Sequence, residues 1–553
     1  MTEQAAKEQT TGSRKILKLD VRDNVGVALE DLKAGEEIRL DGRSLHIAEP
    51  VAAKHKFALE PLGVGAAVKM YGVLVGRART AIPAGGPLTT ANLAHEAADF
   101  TASRQSTYAW AKPDVAHWSH VTFEGFRRAD GQVGTRNYWL VIPLVFCENR
   151  NVEALREAFE EELGYARTKQ YRAQVSRLVA NWRGGDGNAA SPATAASQRV
   201  FENLDGIRFL AHQGGCGGTR DDARALCGLL AGYIHHPNVA GATVLSLGCQ
   251  HAQPAMLREE LEKRGETGKP VLVFTQQEAG TEQALLERAI QETFAALVKA
   301  NEARREPAPL SALTVGLKCG GSDGFSGISA NPAIGHLSDL MVALGGRTIL
   351  SEFPELCGVE QELIDRCETD EDAQRFARLM RAYEARARAV HSGFEMNPSP
   401  GNIRDGLVTD AMKSAGAARK GGTAPVADVL DYPEYVRRAG LTLLCTPGND
   451  VEAVTGQAGA GATVVLFTTG LGTPTGNPIA PVMKLATNAR LAEHMPDIID
   501  VDTSAILRGE TTVEQMGERI LTDLIEVASG RRHTRAETLR QEDFIPWKRG
   551  VSL

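Results

Sequence analysis

A multidomain α/β protein is predicted by three observations. Continuous apolar runs end in glycine, amphipathic stretches separate those runs, and an N-terminal segment of short alternating strands has a different texture from the rest. The expected layout is a disordered tail over 1–14, a small β-rich module over 15–95 and a linker over 96–122. Two α/β domains with mainly parallel sheets follow, over 123–305 and 306–553. A chain of 553 residues is too long for one core, and length alone suggests roughly 3–4 domains.

The elements follow in order. Lys15-Ile-Leu-Lys-Leu19 and Arg43-Ser-Leu-His-Ile47 alternate as half-buried strands and are separated by Ala34-Gly35 and Ala84-Gly85-Gly86 turns. Trp139-Leu-Val-Ile-Pro-Leu-Val-Phe146 is apolar throughout, as a strand covered on both faces must be. Val152, Leu155, Phe159 and Leu163 then fall on one helical face. The stretch 281–303 reads as another helix, with a boundary at Arg304-Arg-Glu-Pro-Ala-Pro309. In the last third, 360–391 reads as a long helix with a solvated face. Leu441–Cys445 and Ala462–Phe467 read as buried strands, and helices near 514–529 close the chain.

Composition narrows the function. A formal charge of −8 argues against a large nucleic-acid surface. No apolar run approaches the ~20 residues that span a bilayer, so no membrane partner is expected. The N-terminus, Met1-Thr-Glu-Gln-Ala-Ala-Lys, lacks the apolar stretch of a signal peptide. Eight cysteines without a CxxC pair suit a reducing compartment, so a cytoplasmic location is expected.

Three cysteines lie in glycine-rich turns: His212-Gln-Gly-Gly-Cys216-Gly-Gly, Leu247-Gly-Cys249-Gln250 and Cys319-Gly-Gly-Ser322-Asp323-Gly. Each follows an apolar run, so each is expected at the carboxyl end of a strand, where open α/β sheets bind ligands. Glycine lets the backbone approach a metal or anion closely. Cys216, Cys249 and Cys319, with His212 nearby, are therefore candidate metal ligands; thiolates favour ferrous iron or an iron–sulfur cluster with one position open to substrate. The same cysteines also suit plain packing at crowded strand ends. Cys147, Cys227, Cys357, Cys367 and Cys445 are assigned to packing.

Other residues carry acid–base or binding chemistry. Asp323 and Ser322 share the Cys319 turn, and Asn331-Pro332 opens the next helix, whose N-terminus favours an anion. Glu352 and Glu355 follow the strand 348–350 and suit metal ligation or proton transfer; ordinary surface acids are the bland reading. Arg136 offers a fork for a carboxylate or a structural ion pair, and Lys484 a second carboxylate contact or a base. His55 changes charge near neutrality and suits a base. Asn397-Pro-Ser-Pro-Gly-Asn402 is expected as a rigid loop. The loops 456–461 and 470–476 match neither GxGxxG nor the P-loop.

The cysteine turns, together with Gly125-Phe-Arg-Arg-Ala-Asp-Gly-Gln-Val-Gly-Thr-Arg-Asn-Tyr138, Cys319–Pro332, Asn397–Asn402, Pro447-Gly-Asn-Asp450 and Thr468-Thr-Gly-Leu-Gly-Thr-Pro474, resemble the altronate/galactarate dehydratase family of sugar-acid hydro-lyases. The N-terminal module resembles that family's SAF-type β-clip domain through Asp23-Asn-Val, His55-Lys56 and Lys69-Met-Tyr-Gly72. The resemblance spans about residues 15 to 530. It implies dehydration of a hexonate or aldarate to a 2-keto-3-deoxy acid with a divalent metal, iron, for which Mn2+ would substitute. Within the matched motifs it implies His55 and Asp323 as catalytic candidates, and Glu352 and Lys484, read from their own surroundings above, complete that set. Arg136, Asn137, Lys56, Ser322, Asn331, Asn402, Asn449 and Thr473 are implied to hold substrate. A homo-oligomer, a dimer, is expected. The alternatives are a related lyase expelling another β-group, such as sulfite, and a non-catalytic sugar-acid binder. Gln250 stands where the family has glutamate and Leu471 where it has arginine; Ile403-Arg404-Asp405 follows Asn402 where it often has lysine. These departures leave the particular sugar acid open.

Overall fold

The computed structural model describes residues 15–166, 170–184 and 198–553. The tail expected to be disordered, 1–14, lies outside the described residues.

The N-terminal module is β-rich and antiparallel. Ile16–Leu17, Val25–Ala28 and Lys56–Ala58 form one small sheet; Ala67–Met70, Val73–Ala78 and Leu93–Ala94 form another; Glu37–Leu40 and Arg43–His46 form a hairpin. Tight turns replace helices here. Asp23, for example, accepts the backbone N–H groups of Tyr71 and Gly72 at 3.1 and 2.7 Å. Residues 95–121 contain no helix or strand.

Two parallel sheets follow, as the continuous apolar runs require. The first has four strands in the order Gly206–Phe209, Tyr138–Pro143, Val239–Ser246, Val271–Thr275. The helix Asn149–Glu162 buries Val152, Leu155 and Phe159 against it. The second has seven strands in the order Val426–Leu430, Gly440–Leu444, Arg347–Leu350, Thr314–Cys319, Val464–Thr469, Val482–Ala486, Val501–Asp502. Arg305–Pro309 pairs antiparallel with Thr122–Arg127, so the expected boundary is itself a strand.

The stretch 360–391 is two helices rather than one. Glu360–Arg366 ends before Cys367, which bridges to Val426, and Asp370–Ala389 restarts on a Thr369 cap that accepts Asp372 N–H. Pro400–Arg404 is a short helix where a loop was expected. Pro400 occupies its first position, where the missing N–H costs nothing, and Ser399 caps it.

The seven-stranded sheet has one reversal point. The chain enters at Thr314–Cys319, builds Arg347–Leu350 and the two outer strands on one side, then crosses back to add the remaining strands on the other. Ligands in open α/β sheets bind at the carboxyl end of the strand where the order reverses, here Cys319.

Candidate active site

Cys319 ends the central strand and is 2% exposed. Around its thiol the fold gathers charged side chains that are distant in the chain. Glu352 follows the neighbouring strand Arg347–Leu350, in a left-handed backbone conformation (φ 70°) that a non-glycine residue adopts only under constraint. The constraint is visible: its N–H donates to Thr446 Oγ1 at 3.0 Å, and its carboxylate is clamped between Lys318 and Lys420. Lys420 Nζ lies 2.7 Å from Glu352 Oε2 and 2.8 Å from Cys319 Sγ. The thiol donates to Glu355 Oε2 at 3.4 Å, and Lys413 Nζ holds Glu355 Oε1 at 2.9 Å. Lys318 also reaches Asp450 Oδ1 at 3.0 Å.

The electrostatics follow from burial and pairing. Burial pushes the Cys319 thiol up to about 12 and keeps it protonated, although Lys420 pulls the other way. Burial opposes the charge on Glu355 too, yet Lys413, Lys318 and Lys420 outweigh it and hold that carboxyl at about 2. Burial would strip Lys318 and Lys420 of their protons; Glu352 beside Lys318, and Cys319 and Glu352 beside Lys420, reverse this and hold both ammonium groups above their usual range. Burial raises the Glu352 carboxyl despite its two lysines. Three ammonium groups thus face the buried Glu352 and Glu355 and the half-buried Asp450, a network whose members depend on one another.

Cys319, Glu352 and Glu355 each offer a ligand atom, and these atoms lie within 4.8 Å of one another; they are the group of this kind found among the described residues. A thiolate with two carboxylates is a donor set that accepts a divalent metal and leaves positions open. Cys216, Cys249 and His212 are not in that group. Cys216 is half-buried and Cys249 exposed at strand ends of the four-stranded sheet, whereas Cys319 belongs to the seven-stranded one. His212 has no lone pair free: Nε2–H donates to Pro143 O at 2.7 Å and Nδ1 accepts Gly214 N–H at 3.1 Å. The Cys216 turn instead floors a cavity of about 540 Å³ walled by His251, Glu452 and the C-terminal residues Phe544 and Trp547.

A second cluster begins four residues after Cys319. Asp323, fully buried, accepts from Thr487 Oγ1 at 2.9 Å and Asn488 Nδ2 at 3.1 Å. It also pairs with Lys54 at 3.1 Å, and Lys54 reaches Asp405 at 3.0 Å, so the N-terminal module is tied onto this turn. Gly470 is required there: a Cβ would stand 2.2 Å from Asp323 Cγ. Lys56 Nζ donates to the carbonyls of Lys54 and Gly406 at 2.9 and 2.7 Å, and burial lowers it to about 7. His55 Nε2 lies 3.1 Å from Arg404 O, an acceptor, so this nitrogen carries the ring proton and Nδ1 keeps its lone pair. Burial lowers its pKa.

The remaining predicted residues separate clearly. Asn402 Nδ2 donates to Ser322 O at 2.7 Å, Ser322 Oγ is buried without a hydrogen-bond partner, and Thr473 stands beside Gly321, so these three border the turn between the clusters. Asn449 caps the helix Asp450–Gly459 next to Lys318. Asn331 is buried and bonded to Gly416 O and Thr468 Oγ1 at 3.0 and 2.6 Å. Arg136 and Asn137 are structural. Arg136 makes a two-pronged pair with Glu537 at 2.7 and 3.0 Å, and Asn137 Nδ2 donates to the carbonyls of Asn203 and Ala300. Lys484 Nζ donates to Gln541 Oε1, away from the strand ends, and burial lowers it to about 8.

Sequence reasoning missed Lys318, Lys413, Lys420, Lys54 and Asp405. One signal was readable: Lys318 is a charged residue inside the apolar run Leu313–Cys319. Lys413 and Lys420 lie about a hundred residues from Cys319 in an alanine- and glycine-rich stretch and carry no local mark.

A parallel α/β protein with a buried thiol–carboxylate–lysine centre at its reversal point, and a β module tied beside it, is the class that the fold defines. Three family models match in succession: the altronate/galactarate dehydratase SAF domain over 14–96, the second domain of D-galactarate dehydratase/altronate hydrolase over 125–301, and the D-galactarate/altronate dehydratase C-terminal domain over 310–552. The chain is 34% identical to the altronate dehydratase of Bacillus subtilis (strain 168), covering 98% of this chain and 100% of the relative. It is 33% identical to the altronate dehydratase of Escherichia coli (strain K12), covering 97% and 99%. It is 30% identical to the galactarate dehydratase (L-threo-forming) of the same organism, covering 95% of each. The chain belongs to the altronate/galactarate dehydratase family.

Proposed function

We propose that this protein is a hydro-lyase that removes water from a hexonate or aldarate to give a 2-keto-3-deoxy sugar acid. The observation that carries the reading is the Cys319–Glu352–Glu355 group, ringed by Lys318, Lys413 and Lys420 at the reversal point of a family member's sheet. Removing a proton beside a carboxylate builds a second negative charge, which fixed positive groups in a dry site stabilise. Lys420 and Lys318, held as ammonium ions, supply such charge. His55, on the N-terminal module, takes the α-proton at Nδ1, its neutral tautomer fixed by Arg404 O. Asn402, Ser322 and Thr473 orient the hydroxyls, and Asp323 keeps the turn and the module in place. Cys319, Glu352 and Glu355 would hold a divalent metal, ferrous iron with Mn2+ as substitute. That ion supplies Lewis acidity toward the substrate carboxylate and departing hydroxyl.

Eight free cysteines support a reducing, cytoplasmic setting; among the described residues no helix is long and apolar enough to cross a membrane. The test is anaerobic purification with metal and sulfide analysis, then a panel of hexonates, aldarates and sulfo-acids assayed for 2-keto-3-deoxy product and for sulfite. Keto-acid from a sugar acid is expected. Sulfite release alone would move the protein to the other lyase chemistry, and tight sugar-acid binding without product to a binder.

A further inference from the structure

A cavity of about 690 Å³ opens at the amino-terminal end of the seven-stranded sheet, beside the starts of Thr314–Cys319 and Arg347–Leu350 and opposite to Cys319. Its volume lies in the range of small-molecule sites, ~300–1,000 Å³. Arg127, Arg264, Arg347 and Arg437 line it together with Asp130 and Glu266; Arg127 is paired with Glu306 at 3.5 Å and Arg264 with Glu260 at 3.1 Å.

Two buried donors there lack acceptors. Gln132 Nε2 donates to Asp130 Oδ2 at 2.7 Å and to His235 Nε2 at 3.1 Å, so the His235 proton sits on Nδ1. His235 is 6% exposed, and its Nδ1 has no partner. Arg264 Nε is likewise buried and unpartnered, although its other nitrogens bond Glu260 and Pro433 O. Buried N–H groups without acceptors are rare, and each calls for an explanation. The Arg347 guanidinium has no ion-pair partner among the described residues. Tyr435, stacked edge-on against His235 at 4.7 Å between ring centroids, closes the group.

We propose that this cavity binds a small anion bearing a carboxylate or phosphate, which accepts from His235 Nδ1 and Arg264 Nε and pairs with Arg347. The cavity is walled by residues of both parallel-sheet domains, so an occupant bridges them from the side away from Cys319.

Calorimetric titration of the full chain with inorganic phosphate and, separately, with malonate, a dicarboxylate that has no hydroxyl to eliminate, tests this and separates the two sources. At least one is expected to bind, with Kd raised tenfold or more by Arg347→Gln and by His235→Phe, and unchanged by Cys319→Ser. Loss of binding in Cys319→Ser with retention in Arg347→Gln would place the anion at the other site and overturn the proposal. No heat from either ligand at millimolar concentration would overturn it equally. The readout is binding, so failure here leaves the hydro-lyase reading standing, and an inactive enzyme that still binds at Arg347 leaves this site standing.

Discussion

The turns at Cys319 and Cys216 share a sequence signature, an apolar strand running into glycine and cysteine, and end in different chemistry. At Cys319 the fold brings up Glu352 from one neighbouring strand, Lys413 from the helix Asp410–Ala418 and Lys420 from just after that helix, and the thiol sits 2.8 Å from an ammonium group. At Cys216 the turn opens onto a cavity, and the nearby His212 spends both ring nitrogens on backbone groups. A Gly-Cys turn therefore marks a strand end where a ligand has room. What makes one of them reactive is charge delivered from elsewhere in the chain.

That contrast breaks most sharply at Glu352. Glu352→Gln leaves buried Lys420 without a carboxylate and Lys318 with Asp450 alone, a loss of about 3–5 kcal/mol in stability. Turnover should fall by ~10²–10³-fold, the scale seen when a preorganised electrostatic group is removed. Thermal denaturation with product assays checks both; a variant with near-normal melting and rate would mean the cluster is ornamental. Next in size is the paired comparison of Cys319→Ser with Cys216→Ser. The first should lose bound metal and most activity, the second less than ~10-fold in rate, since the Cys216 thiol contacts none of these groups. Metal analysis of both purified variants, with rates, decides it; equal losses would restore the idea of a shared thiolate centre.

A smaller effect is expected at the seam with the N-terminal module. Lys54→Met leaves Asp323 buried without its cation, at a cost of about 3 kcal/mol if none of it is relieved by Thr487 and Asn488. Lower melting together with a raised KM would show that the module positions the turn. Unchanged KM would confine Lys54 to stability.

The fold was legible because its signals are local. The apolar runs of 139–146 and 441–445 and the stripe Val152–Leu155–Phe159 each state their own burial. Half of the candidate site was legible for the same reason: Cys319, Ser322, Asp323 and Asn402 stand in motifs dense with glycine and proline. Glu352 was visible only as an acid after a strand. The lysines that give it meaning were not, since a lysine's partner is set by strand order, and strand order is written nowhere near Lys420. Arg136 misled for a related reason. A fork suited to a substrate carboxylate is equally suited to Glu537, which lies four hundred residues later in the chain.

Acid separates the two turns with the gentlest perturbation. Burial lowers the His212 pKa to about 4, against the ordinary 6.5. Its folded-state value is depressed, so its neutral form contributes stability that is whole above the unfolded value and is lost as pH falls from about 6.5 toward about 4. One such proton changes stability by ~1.4 kcal/mol per pH unit across that window. Glu355 is depressed too, to about 2, but from 4.5, so the stability from its pairing with Lys413 is whole above about 4.5 and is lost only as pH falls from there toward about 2. Between pH 6.5 and 4.5 the Cys216 side should weaken while Glu355 keeps its charge beside Lys413. Urea titrations of the wild type and His212→Gln at half-unit pH steps read this out. The stability difference between them should shrink by about one proton's slope over that range, and a difference independent of pH would mean that His212 is not held neutral by its buried bonds.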